Sequence, residues 1–119
     1  MWWLILLTLA TPATAQRPFC DFGTGVTAVR DAQARLAAPV TGLVTGRETG
    51  LAIAATLEAA RATFAACGCP HLTDLTDEAA RLTEQTGYEA SAARIAQTFT
   101  QAGFRVRLAR QAMDTNGCR

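Results

Sequence analysis

From residue 26 onward, apolar side chains recur at helical spacing, and breaks in that rhythm divide the chain into four helices. In the first, Val26, Val29, Leu36 and Val40 fall on one face, with Gln33 as a gap. Upstream, residues 16–20 read as an extended lead-in and residues 21–25 as a turn. Ala38-Pro39 predicts the end of this helix, because the residue before a proline avoids the α region. Residues 40–44 then predict a loop or a short strand. Thr45-Gly46-Arg47-Glu48 has the form of a capping box and predicts the start of a second helix. Its stripe is Ile53, Leu57, Ala60, Phe64 and Cys67, while Thr49, Glu58, Arg61 and Thr63 fall elsewhere. Gly68 is a natural residue just past a helix end, and Pro70 forbids continuation.

The third helix has Thr73 or Asp74 as its predicted cap and Leu72, Leu75, Ala79 and Leu82 as its stripe. Asp74, Asp77 and Glu78 then cluster in its first turns, where the helix dipole favours anions. Thr86-Gly87-Tyr88-Glu89 repeats the T-G-x-E form and predicts the start of a fourth helix. That helix carries Ala92, Ile95, Phe99, Ala102, Val106, Ala109 and Met113 on one stripe and ends within residues 114–117. Residues 104–108 alternate as a strand would. A helix is preferred there, because the stripe stays in phase to Met113 and a lone strand needs a partner.

The two halves of this pattern look alike: cysteine, short helix, T-G-x-E, longer helix, cysteine. Cys20 and Cys67 enclose 46 residues, and Cys69 and Cys118 enclose 48. An antiparallel hairpin lays the start of its first helix beside the end of its second. Nested disulfides, Cys20–Cys67 and Cys69–Cys118, are therefore the expected pairing. The crossed pairing, Cys20–Cys69 with Cys67–Cys118, is nearly isosteric and fits the same spacing. A Cys67–Cys69 bond is disfavoured, since one intervening residue strains the ring. Loops of this length contribute about 4 kcal/mol each in the chain-entropy account of disulfides.

That contribution matters because the core is thin. Residues 1–15 read as a secretory signal: an uncharged apolar run ending in Ala13-Thr14-Ala15, an A-x-A cleavage site. The run is shorter than the roughly 20 apolar residues that span a bilayer. Residues 16–119 then form a single helical domain, in which Leu, Ile, Val and Phe supply 20 of 104 residues. At about 25 cal/mol per Å² such a core is marginal against chain entropy, and small exported domains compensate with disulfides. All 11 basic residues are Arg, and against 10 acidic residues the net charge is +1. This balance gives no argument for nucleic acid or a membrane surface.

Candidate chemistry is sparse. Cys67-Gly68-Cys69-Pro70-His71 gathers two thiols and the chain's single imidazole. Thiolate and imidazole would suit Cu(I) or Zn(II), with Cys20 or Cys118 completing the set. The spacing departs from the usual C-x₂–₄-C of zinc sites, and export favours oxidation. A catalytic dithiol would be expected as C-x-x-C on an αβ pattern, which is absent. Ser91, the single Ser, has no base partner in sequence, and Gly23-Thr24-Gly25 lacks the Lys of a phosphate loop. Asp74, Asp77 and Glu78 read as a solvated helix start. Arg105, Arg107, Arg110 and Arg119 complement a helix C-end, with an acidic docking partner as the secondary reading.

The expectation is an all-α, disulfide-stapled four-helix bundle built from two helical hairpins. It is exported to the periplasm or beyond, has no cofactor or catalytic residue, and docks on another periplasmic or envelope protein. The alternatives are a periplasmic stress chaperone, or a thiol or metal-binding protein using Cys67, Cys69 and His71.

Overall fold

A computed structural model describes residues 20–118. The signal reading of residues 1–15, the lead-in at 16–19 and Arg119 lie outside the described residues. Within them the chain forms helices α1 (Phe22–Ala37), α2 (Leu43–Ala66), α3 (Pro70–Gln85) and α4 (Ala92–Asn116), with a 3₁₀ turn at Thr86–Tyr88. Each helix packs against its neighbours in sequence, and α1 closes the ring against α4. The result is an up-down-up-down bundle made of two hairpins. The 104–108 segment is helical, as its phase predicts.

Helix starts differ from the expected ones, for local reasons. Residues 21–25 are not a turn. Asp21 caps α1 by accepting from the Thr24 amide at 3.3 Å, and the Thr24 hydroxyl also donates to its carboxylate. Gly25 is needed for space: a Cβ there would lie 2.8 Å from the Phe64 ring. Thr45-Gly46-Arg47-Glu48 lies inside α2, whose cap is the extended Gly42. Cys69 is the cap of α3, with Pro70 in its first turn, so Asp74, Asp77 and Glu78 sit beyond the first turn rather than in it. Ser91 caps α4, accepting from the Arg94 amide at 3.2 Å, and the 86–89 segment forms the 3₁₀ turn. The expected stops hold. Ala38 is extended before Pro39, and Gly68 adopts φ +72 after α2.

The predicted stripes converge on one core of Val29, Ile53, Leu57, Phe64, Leu72, Ile95, Phe99 and Val106, filled in by buried alanines. Phe22 tilts against Phe64 with ring centroids 5.5 Å apart. Leu82 and Met113 are only partly buried, at the core margin. Buried Thr76 and Thr83 turn their hydroxyls back to the carbonyls one turn earlier, so the core holds no unsatisfied side-chain polar atom among the described residues. On the surface, Arg61 donates to Glu58 and holds its carboxyl below the ordinary range. The stability this contributes is present above that range and is lost as acidification protonates Glu58.

Candidate functional site

Both disulfides have the nested pairing, Cys20–Cys67 and Cys69–Cys118, with Cα–Cα separations of 4.9 and 4.7 Å. The fold brings the four sulfurs together. Cys20 precedes α1, Cys67 ends α2, Cys69 starts α3 and Cys118 follows α4, so all four meet at one pole. There the Cys118 sulfur lies 3.4 Å from the Cys67 carbonyl oxygen. The central cluster therefore divides between two bonds: Cys67 and Cys69 are neighbours in sequence but members of different staples. His71 is exposed in the first turn of α3, beside a shallow cleft lined by Leu75, Leu108 and Ala112. Among the described residues, no group of three or more His, Cys, Asp and Glu is arranged to hold a metal ion.

The charged clusters are largely engaged in helix contacts. Asp77 pairs with Arg81 at 2.9 Å along α3, and Glu78 pairs with Arg105 at 3.4 Å across to α4. Arg110 donates to Gln33 at 2.6 Å, which ties α4 to α1. The C-terminal arginines thus act mainly between helices, with Arg107 left exposed.

Sequence reasoning missed the opposite pole. Thr86 is fully buried, and its hydroxyl donates to the Thr83 carbonyl. It fills the space left by Gly50, where a Cβ would come within 2.8 Å of the Thr86 Cβ. Gly87 sits against the Leu51 side chain in the same way. Next in the chain, the Glu89 amide donates to the Thr86 carbonyl. The Arg47 guanidinium forks onto the Glu89 carbonyl, with Nε at 3.0 Å and Nη2 at 2.6 Å. These ties clamp the 3₁₀ turn along α2 and hold Tyr88 outward, 86% exposed. Val44, 68% exposed, and Leu51, 47% exposed, lie seven residues apart on one α2 face, whose Leu51 end meets the turn at Gly87. Glu48 stands between them. A weak sequence signal existed: Gly46 and Gly50 lie four apart in α2, a spacing at which missing side chains let neighbouring elements approach closely, and Gly50 is the one that meets the turn.

Comparison with protein-family models, with curated proteins and with solved structures finds no match for this chain. No described helix is long and apolar enough to cross a membrane.

Proposed function

We propose that this chain is a small exported, non-enzymatic binding protein that docks on another protein of the periplasm or envelope through its Val44–Leu51–Tyr88 face. The observation that carries the reading is Tyr88, a large side chain held almost fully in solvent by a turn that is anchored by buried Thr86 and clamped by Arg47. Exposed aromatic and aliphatic side chains grouped on a rigid surface favour protein contact, and tyrosine is enriched at such interfaces. Two disulfides are compatible with an oxidising compartment.

The test places a photo-crosslinking residue at Tyr88, at Leu51 and, as a control, at exposed Arg30 on α1, in the native host. A discrete adduct is expected from positions 88 and 51 and not from 30, and it should be lost when Val44→Ser is added. Adducts of equal yield from all three positions, or a broad smear of clients, would replace specific docking with non-specific holding of unfolded chains.

A further inference from the structure

The charges around the exposed face define what it accepts. Glu48 lies four residues after Val44 and three before Leu51, so a carboxylate stands in the middle of the apolar surface. Glu84 precedes Tyr88 by four residues, and Glu89 follows it directly. Among the described residues, none of these three carboxylates has an ion-pair partner. Elsewhere Asp31, Glu58, Asp77 and Glu78 each pair with an arginine. Arg47, the cation nearest Glu48 in sequence, is held on the neutral Glu89 carbonyl and keeps its charge, and Arg94, the cation nearest Glu89, is exposed, so the three carboxylates outnumber these two cations.

An apolar face with unpaired carboxylates suits a partner that brings apolar anchors and cations together. The open face of Tyr88 adds a site on which a guanidinium can stack. A second copy of this chain is disfavoured, because two-fold docking would bring like carboxylates together. An anionic membrane is disfavoured on the same ground. Resting on the docking reading above, we infer that the occupant is a basic amphipathic segment of another protein: an apolar anchor flanked by Arg or Lys. The seven residues from Val44 to Leu51 run about 10 Å along the α2 axis, which matches two turns of such a segment if it is helical.

The test titrates the oxidised full-length protein with two short labelled peptides of the same spacing, one Leu/Arg and one Leu/Glu, followed by fluorescence anisotropy at two salt concentrations. The Leu/Arg peptide should bind, more weakly at higher salt, and the Leu/Glu peptide should not. Glu48→Lys and Glu84→Lys should each weaken binding about tenfold, the order expected when a charge at a docking site is reversed. Asp114→Lys, a charge reversal near the disulfide pole, should leave binding unchanged. Tyr88→Ser should abolish it, with circular dichroism confirming that each variant remains helical. If the Leu/Glu peptide binds and Tyr88→Ser removes that binding, the docking face stands and the basic partner is overturned. If Leu/Arg binding survives Tyr88→Ser and Glu48→Lys alike, the face itself is overturned. Sedimentation showing a dimer that Tyr88→Ser dissolves would assign the face to a second copy and overturn the basic partner.

Discussion

Gly50 and Gly103 both lie inside helices, yet one added methyl should act in opposite directions at the two positions. Alanine is the better helix former by about 1 kcal/mol, which favours both substitutions. At Gly103 the new Cβ would meet only the Leu36 Cβ, at 4.0 Å, an ordinary contact. Gly103→Ala should therefore stabilise by about 0.5–1 kcal/mol. At Gly50 the methyl would collide with buried Thr86 and approach Phe99 to 3.3 Å. Overpacking of this kind costs about 1–3 kcal/mol, so Gly50→Ala should destabilise despite its helix propensity. Urea melts of both variants check the signs. Adding Thr86→Ala to Gly50→Ala should recover part of the loss, and strict additivity in that double-mutant cycle would show that the two residues do not meet.

Among the elements, the two hairpins carry staples of unequal access. Cys67 and Cys118 are both partly exposed, so the difference lies in their partners: Cys20 is exposed, whereas Cys69 is 1% exposed. Thiol–disulfide exchange requires approach to a sulfur, so mild dithiol treatment of the folded protein should open Cys20–Cys67 first. Trapping with iodoacetamide and mapping the labels checks the order, and labelling of Cys69 and Cys118 first would reverse it. Cys20→Ser with Cys67→Ser should lower stability by about 2–5 kcal/mol, the usual cost for a small disulfide-bonded domain. That each hairpin brings its own cysteines to one pole was legible in sequence, because helix stops at Pro39 and Gly68 set the hairpins; the choice of the nested over the crossed pairing was not, since both fit the same spacing. Helix starts were less legible. The T-G-x-E segments imitate caps, but Gly46 serves the approach of Val40 and Ile95 to α2, and the actual cap, Gly42, has no side chain to announce it. The exposed face around Tyr88 was not legible, because Tyr88 is turned outward by Thr86 burial and by an Arg47 contact across 42 residues. Neither leaves a periodic trace.

For the molecule as a whole, the shared pole of the four cysteines has a mechanical consequence. A covalent path runs from Cys20 through its disulfide to Cys67, over Gly68 to Cys69, and through the second disulfide to Cys118. Tension applied between Cys20 and Cys118 follows this short path. Both hairpins hang outside it as loops, with sequence separations of 47 and 49 residues across their closures. Pulling the oxidised protein between handles at these two ends should give only the small extension of that bridge, with no helix unravelling. After reduction the same pull should release the whole bundle, at forces typical of helices. A long unfolding step in the oxidised state would mean that the load reaches the helices after all. The clasp leaves the bundle slack while its ends are under strain, so the distant tyrosine turn keeps its shape however hard the protein is tugged.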